Sequence, residues 1–502
     1  MNFRPSRNAL AAGSLVLFLG WLVFNALMAV RFSFASGDSV IYGLPLAVAR
    51  HPFDLGIPFI ADFEGYGSHW GHQWPGGMWL RGLLFQVLPY SRAADVVVLH
   101  LFVGLAALLV FRLVGREGGA GWPAWLAAAL VLSDRNLLLA AAAQRFEPMA
   151  LACLMVLVAD ATGAARGRGW RVLALVAAFF CPLLHPYSLA LGALVLGIGL
   201  VATPGTARER IGRMAGRALA FAAGCAAWVL WFALQPEAWR QFLENMALQE
   251  SFYRNWNTVL AGLTNYRLGG GFVLWGLALV AAIRLVADAR RPLAGRLVLP
   301  AVLLAVIVLH TATRCENYHY LTLGSGPAAA LVAILAAEIS RRWTDVRRWL
   351  PAAALAALLA VHAVIFPYRL LQFQRAGRPD LAGELEGVLA AIPEGRRVFV
   401  PPVAWPAAAA DRRHEIRFWT FPVVSKREAR ARYEAAAYSA AKPGDFLVVD
   451  RFAASMPDPF GMLPVMPMTP PDAERWQRVS SHRRMFQGTV PWGLDLEVYE
   501  RK

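Results

Sequence analysis

Apolar residues along this chain fall into blocks of roughly twenty, and short polar stretches rich in arginine separate the blocks. A helix needs about twenty apolar residues to cross roughly 30 Å of hydrocarbon. The pattern therefore predicts an all-α polytopic membrane protein with about eleven transmembrane helices. The predicted spans are residues 9–31, 93–114, 121–139, 146–163, 170–184, 186–203, 214–234, 270–287, 297–313, 322–340 and 349–367. The third and fifth are short or interrupted by polar residues.

The first apolar block is too long for the hydrophobic region of a signal peptide, and no small-x-small cleavage site follows it. We therefore interpret residues 9–31 as an uncleaved anchor.

Basic residues occur in every second loop, and this alternation predicts the orientation of the chain. It places the N-terminus in the cytoplasm and the C-terminus on the opposite side of the membrane, and a shift by one helix would destroy it. The arginines of the predicted inside loops are Arg4, Arg7, Arg112, Arg116, Arg166, Arg168, Arg171, Arg208, Arg210, Arg213, Arg217, Arg284, Arg290, Arg291, Arg296, Arg341, Arg342, Arg347 and Arg348.

Composition agrees with a membrane protein, since 58% of residues are hydrophobic and only 16% are charged. Arginine-rich loops on anionic lipid explain much of the net charge of +16, so no nucleic-acid partner is expected. Abundant alanine, arginine and glycine with few lysines is typical of a GC-rich bacterium, which predicts a bacterial inner membrane. Three cysteines lie in predicted helices and only Cys315 faces outward, so no disulfide framework or cysteine metal site is indicated.

Two segments are too polar to span, the loop 32–92 and the tail 370–502. We predict a transmembrane domain over residues 1–369 and a small α/β periplasmic domain over 370–502. Within the tail, the pattern predicts helices near 380–391 and 426–441, and strands at 397–400 and 446–450.

Asp38 is the candidate general base of the first loop. It lies a few residues after the first span, at the membrane surface, where partial desolvation would raise its pKa. The alternative is a solvated aspartate that caps a following helix. The same loop holds Tyr42, Glu64, His69 and His72, and its tryptophans suit either sugar stacking or an interfacial aromatic belt.

Other polar residues gather at the predicted outer ends of the spans. Ionisable residues at a membrane edge are costly and often mark a functional cavity, although each one alone could snorkel or form a turn. Glu147 is a candidate catalytic acid, and the candidates for substrate binding are Arg145, His185, Arg267, Arg314 and His319, with Tyr42, Glu64, His69 and His72 of the first loop.

The order of these features resembles the GT-C glycosyltransferase superfamily, in the family 39 branch of protein O-mannosyltransferases and the lipid A aminoarabinose transferase. The segment Gly37–Tyr42 resembles the family's acidic motif after the first span, and His69–Gly77 resembles its His-Pro-Pro segment. Gln144–Pro148 resembles the Arg-x-acid motif at the fourth span. Relatives often carry two adjacent acids in the first motif, whereas Ser39 follows Asp38 here.

The resemblance implies an inverting transfer of a sugar from a polyprenyl phosphate to a hydroxyl of a glycolipid, polysaccharide or protein. Asp38 would be the base, with Glu147 or Glu64 as the second acid. Arginine suits the leaving phosphate because its planar fork binds two oxygens. The scheme requires no cofactor or metal, although acids and histidines in the first loop are compatible with a divalent cation.

Two other classes remain open from the residues alone. A lipid or solute transporter would be expected to show internal repeats with matching broken helices near the midplane. A non-catalytic scaffold would act through its periplasmic tail and would not depend on Asp38 or Arg145.

Overall fold

A computed structural model describes residues 7–31, 43, 46, 74–118, 121–164, 167–202, 206–243, 271–313, 318–343, 345–375, 381–401, 407–408, 411–418, 438–451, 471–486 and 492–502. Most of these residues are helical, and a small mixed β-sheet follows the helices along the chain. The predicted combination of a helical part with a C-terminal α/β part is confirmed. The boundary between residues 369 and 370 stays a prediction.

Each predicted span coincides with a helix or with a broken pair of helices. In chain order the helices are α1 (Arg7–Arg31), α2 (Pro75–Val87), α3 (Arg92–Gly118), α4 (Trp122–Leu132), α5 (Arg135–Ala142), α6 (Glu147–Ala161), α7 (Arg168–Leu184), α8 (Pro186–Ala202), α9 (Ala207–Leu234), α10 (Gly271–Ala287), α11 (Leu293–Thr313), α12 (Ser325–Arg342), α13 (Leu350–Arg375) and α14 (Leu381–Ala390). Within the described residues four helices are long and apolar enough to cross a membrane, or five if α4 and α5 form one crossing. The number of eleven crossings therefore stays a prediction.

The break between α4 and α5 is the polar interruption that the sequence predicts in the third span. The two helices are bent by 44°. Asp134 caps α5, because its carboxylate accepts a hydrogen bond from the N–H of Leu137 at 2.9 Å. Ser325 donates to the other carboxylate oxygen at 2.6 Å, and Trp21 donates to Ser133 at 3.0 Å. Side chains from α1 and α12 thus stabilise the break.

Ion pairs join the helices at the end of the bundle where α3 and α6 finish. Arg217 of α9 donates to both carboxylate oxygens of Asp160 at 3.1 Å. Arg291, just before α11, pairs with Glu117 at 3.1 Å. The arginine-rich loops therefore meet at one end of the bundle, as the alternation requires, and the side of the membrane that they face stays a prediction.

The segment 32–92 contains a helix, α2, which the sequence analysis did not separate from the loop. Two glycines let α2 approach its neighbours closely. A Cβ on Gly76 would lie 2.3 Å from the Cβ of Leu183, and one on Gly77 would lie 2.4 Å from the ring of Phe146. Helix α2 therefore packs directly against the residues that begin α6 and end α7.

The C-terminal part consists of α14 and a five-stranded sheet. Its strands are β1 (Arg397–Val400), β2 (Glu415–Phe418), β3 (Phe446–Asp450), β4 (Trp476–Phe486) and β5 (Trp492–Arg501). The order is β2-β1-β3-β5-β4; β1 is parallel to β2 and β3, while β5 is antiparallel to β3 and β4. The predicted helix near 380–391 and both predicted strands are confirmed. Of the predicted helix 426–441, residues 438–440 are described as helical, and 426–437 lie outside the described residues.

Two large buried clusters show where the sheet packs. The first fills the helical bundle, where α6 and α12 are buried along most of their length. The second joins Met78, Phe146 and Leu183 of the helical part to Leu389 and Val398 of the C-terminal part. The sheet therefore packs on the bundle end where α6 begins, opposite the arginine-rich loops.

Candidate functional site

The structure describes part of the predicted site. Seven predicted residues lie outside the described residues: Asp38, Tyr42, Glu64, His69, His72, Arg267 and Arg314. The backbone of His319 lies in the 3₁₀ helix Tyr318–Gly324, and its side chain lies outside the description. The remaining three predicted residues are Arg145, Glu147 and His185, and the structure brings them together.

Arg145 and Glu147 form a buried ion pair where α6 begins. The Nε and Nη2 atoms of Arg145 donate to Oε1 of Glu147 at 2.9 and 2.6 Å. The two side chains are only 3% and 1% exposed. Glu147 lies in the first turn of α6, where the helix dipole favours a negative charge. Burying an ion pair does not by itself favour stability, so this pair is a candidate for function.

Tyr320 links this ion pair to His185. The guanidinium carbon of Arg145 lies 5.9 Å from the centroid of the Tyr320 ring, within the range of a cation–π contact. The rings of His185 and Tyr320 meet at 4.2 Å and 68°. The short connections before α6 and between α7 and α8 therefore meet at the 3₁₀ helix that precedes α12.

His185 occupies the turn between α7 and α8, and its two ring nitrogens have different surroundings. The Nδ1 atom accepts a hydrogen bond from the N–H of Tyr187 at 3.1 Å. This bond assigns the proton of the neutral ring to Nε2. Nε2 is buried and has no hydrogen-bond partner among the described residues. A buried donor without a partner is costly, so His185 is suited to donate to a ligand.

Tyr187 fixes this turn to the end of α11. Its hydroxyl is hydrogen-bonded to the Oγ1 of Thr313, and its ring lies 5.1 Å from that of Tyr320. The site is therefore built on helix ends that contact one another directly.

A second buried ion pair lies beside the first. Arg81 of α2 donates to Asp95 of α3 at 2.7 Å, and both side chains are fully buried. The amide of Gln144 donates to the same carboxylate at 2.6 Å and to the hydroxyl of Tyr90 at 3.0 Å. Burial raises the pKa of Tyr90 well above its usual value, and the charge of Asp95 raises it further. Tyr90 therefore stays a neutral phenol that donates to the backbone oxygen of Gly43 at 3.2 Å.

This second pair was not predicted from the sequence. A signal was present, because Arg81 interrupts an apolar run and Asp95 begins a long apolar helix. Opposite charges in neighbouring apolar segments are expected to pair. The predicted candidates were ionisable residues at the outer ends of the spans and in the first loop, and residues 75–87 were assigned to that loop rather than to a helix.

The described part of the site brings a guanidinium and an imidazole N–H together, and Glu147 balances the charge of Arg145. Arginine binds phosphate through a planar fork, and a buried imidazole donor adds a directed hydrogen bond. Among the described residues, no group of three His, Cys, Asp or Glu side chains could hold a metal ion. The acids and histidines of the first loop lie outside those residues.

Comparison with known proteins identifies the fold. No family model and no curated protein matches the chain by sequence. The chain is similar in structure to ArnT from Cupriavidus metallidurans in the apo state, with a TM-score of 0.58 and 14% identity over 97% of this chain and 98% of that one. It is also similar to the same protein bound to undecaprenyl phosphate, with a TM-score of 0.61, 14% identity and the same coverage. ArnT is the lipid A aminoarabinose transferase of the GT-C superfamily. Over nearly its whole length, this chain, which is mostly helical with a small sheet, therefore shares the fold of ArnT.

Proposed function

We propose that the chain is a membrane glycosyltransferase that moves a sugar from a polyprenyl-phosphate donor to a hydroxyl acceptor. The observation that carries this proposal is the buried cluster of Arg145, Glu147 and His185 in a fold shared with a protein that binds undecaprenyl phosphate. A glycolipid, a polysaccharide or a protein would provide the acceptor hydroxyl.

We place this site on the periplasmic side of a bacterial inner membrane. The arginine-rich loops gather at one end of the bundle, and the cluster lies at the other end, where α6 begins. Basic loops favour the cytoplasmic side. The sheet packs at the end that carries the cluster, which supports a periplasmic C-terminal domain over residues 370–502 beside a transmembrane domain over 1–369.

The proposed reaction is a single displacement at the anomeric carbon. The acceptor oxygen forms a bond to that carbon while the bond to the phosphate oxygen breaks, and the electron pair leaves with the lipid phosphate. Asp38 accepts the acceptor's proton, and the anomeric configuration inverts. No step requires a cofactor, and the first-loop acids and histidines leave room for a divalent cation.

Each remaining predicted residue has a role in this scheme. Arg145 and His185 would bind the leaving phosphate, where directed donors stabilise the developing charge. Glu147 would hold the guanidinium of Arg145, a role that fits its ion pair better than that of a base. The other residues proposed to contact substrate are Tyr42, Glu64, His69, His72, Arg267, Arg314 and His319.

Sugar transfer in proteoliposomes tests the proposal. Purified protein would receive a panel of radiolabelled polyprenyl-phosphate sugars with envelope lipids and proteins as acceptors. We expect transfer by wild type and a loss of roughly 10²-fold or more in Asp38→Asn. Asp62→Asn, the same change in the same loop, is the matched control and should retain transfer. Full transfer by Asp38→Asn would place the base elsewhere.

A transporter or flippase is the rival class. Among the described helices, one pair, α4 and α5, is broken by more than 40° at a short gap. A transporter would be expected to show a matching break in its other half. Wild-type protein that moves lipid across vesicles but transfers no sugar from any donor would support the rival and contradict the proposal.

A further inference from the structure

We propose that the buried ion pair of Arg81 and Asp95 is a positioning element that fixes Arg145 for the lipid phosphate. This inference rests on the proposed function. It assigns a role to Arg81 on α2 and Asp95 on α3, which would position Arg145 through contacts with its neighbours in the chain.

Arg81 contacts both chain neighbours of Arg145. Its Nη1 atom donates to the backbone oxygen of Gln144 at 3.1 Å, and its guanidinium carbon lies 5.1 Å from the centroid of the Phe146 ring. The same Nη1 donates to Asp95 at 2.7 Å, which fixes the guanidinium in place. The two residues that flank Arg145, Gln144 and Phe146, are therefore both in contact with the buried side chain of Arg81.

The backbone at Gln144 has an unusual conformation. Its φ of 62° is left-handed, and no other non-glycine residue in the described ranges has a positive φ. The N–H of Gln144 donates to Ala141 at 3.1 Å and that of Arg145 to Ala140 at 2.9 Å, which closes α5 in a Schellman-type turn. Glycine is usual at such a position because it has no Cβ. The chain therefore accepts backbone strain immediately before Arg145.

The side chain of Gln144 explains why glycine is absent there. Its amide donates to Asp95 at 2.6 Å and to Tyr90 at 3.0 Å, and glycine would make neither bond. The amide thus ties the strained turn to the ion pair. Strain that is held in place by several partners is characteristic of functional sites.

The ion pair of Asp160 and Arg217 provides a matched control. It is largely buried, with side chains 8% and 11% exposed, and it joins α6 to α9 at the opposite end of the bundle. A double substitution there removes a comparable buried ion pair, between α6 and α9, and leaves the contacts of Gln144 and Phe146 unchanged.

The test replaces each pair with apolar residues, which is often neutral for stability. The variants are Arg81→Met with Asp95→Leu, and Arg217→Met with Asp160→Leu as the control. Thermal unfolding and the Kd for undecaprenyl phosphate are measured in detergent. We expect a folded Arg81/Asp95 variant whose Kd is raised roughly 10-fold or more, because a misplaced group loses most of its effect. The control should bind with the Kd of wild type.

A wild-type Kd in the folded Arg81/Asp95 variant would overturn the inference, since the pair would then serve stability alone. If that variant does not fold, the Kd of the Gln144→Gly variant is measured instead. With glycine, this variant adopts the left-handed φ of the position without strain but lacks the amide that donates to Asp95. We expect its Kd to rise by about 3-fold or more, and an unchanged Kd would overturn the inference. Wild-type protein that does not bind undecaprenyl phosphate would instead overturn the proposed function, and the inference with it.

Discussion

The imidazole of His185 shows how one backbone bond prepares a side chain for a ligand. Because Nδ1 accepts from the N–H of Tyr187, the neutral ring presents a proton on Nε2. That atom is buried and has no partner among the described residues, so a ligand that accepts a hydrogen bond from it would satisfy a buried donor. The ring of Tyr320 packs against the imidazole in an edge-to-face contact.

We predict that His185→Phe separates activity from stability. Phenylalanine retains the ring contact with Tyr320 but removes the donor, so sugar transfer should fall by about 10²-fold. The melting temperature should fall only modestly, since the substitution removes one unsatisfied donor but also the Nδ1 acceptor of the Tyr187 N–H. His100→Phe changes another buried imidazole whose Nε2 has no partner among the described residues, and its folded fraction should retain transfer. Wild-type transfer by His185→Phe would show that Nε2 does not contact the substrate.

The carboxylate of Asp411, in the turn before β2, is expected to make the stability of the C-terminal part depend on pH. Burial opposes its ionisation, but hydrogen bonds from the His414 ring at 3.0 Å and the N–H of Arg413 at 2.7 Å prevail and lower its pKa below the usual 3.8. The ionised form is therefore bound more favourably in the folded chain. Its contribution to stability is complete above the usual pKa and is lost as the pH falls through the lowered one.

We expect wild type to melt at a higher temperature than Asp411→Asn at pH 6, with the difference shrinking as the pH falls below about 4. Fluorescence-detected melting in detergent over this range is the measurement. A difference that stays constant with pH would show that the carboxylate's charge does not contribute.

At the scale of elements, α7 and α9 pack together through a glycine. A Cβ on Gly224 would lie 2.1 Å from the backbone oxygen of Phe179 and 2.8 Å from the ring of Pro182. Small residues at such contacts let helix backbones approach closely in membranes. Gly212, in the same helix, has nothing within 4 Å of the corresponding position.

We predict that Gly224→Ala lowers the free energy of unfolding by about 2 kcal/mol or more, because the backbone of α7 must move. Gly212→Ala should change it by less than about 1 kcal/mol, in the stabilising direction. Thermal melting of both variants provides the comparison. Equal melting temperatures would contradict the close packing of α7 and α9.

Block length predicted the long helices well, whereas the shorter elements depend on their neighbours. Helix α2 has only 13 residues, and its glycines suit a close contact that exists only in the folded chain. Strand β2 has four residues, and β4 lies at the edge of the sheet with residues 477–481 exposed. An exposed edge strand lacks the apolar alternation that identifies a strand in a sequence.

Charged residues at the predicted outer ends of the spans stand out in the sequence, and their roles in a site stay predictions. Arg145, Glu147 and His185 were predicted from position and family resemblance, and the structure brings them together. The pairing of Arg81 with Asp95 depends on how α2 packs against α3. The left-handed turn at Gln144 is equally invisible, because a glutamine in a sequence gives no indication of a positive φ.

For the whole molecule, the gathering of the arginine-rich loops predicts a fixed orientation. A cysteine at Lys502 should react with a membrane-impermeant maleimide in intact cells, and a cysteine at Gly169 should react only after lysis. Both positions are exposed, and Cys153, Cys181 and Cys225 lie within helices, so a Cys315→Ser background suffices. Labelling of the Gly169→Cys variant in intact cells would contradict the predicted orientation.

The central claim is that Arg145 and His185 bind the phosphate of a polyprenyl lipid. An electron cryo-microscopy map of the wild-type protein in nanodiscs with undecaprenyl phosphate tests it most directly. We expect phosphate density within about 3 Å of Nε2 of His185 and of the Arg145 guanidinium, with the ring of Tyr320 alongside. A lipid phosphate bound elsewhere, with this cluster unchanged, would contradict the claim.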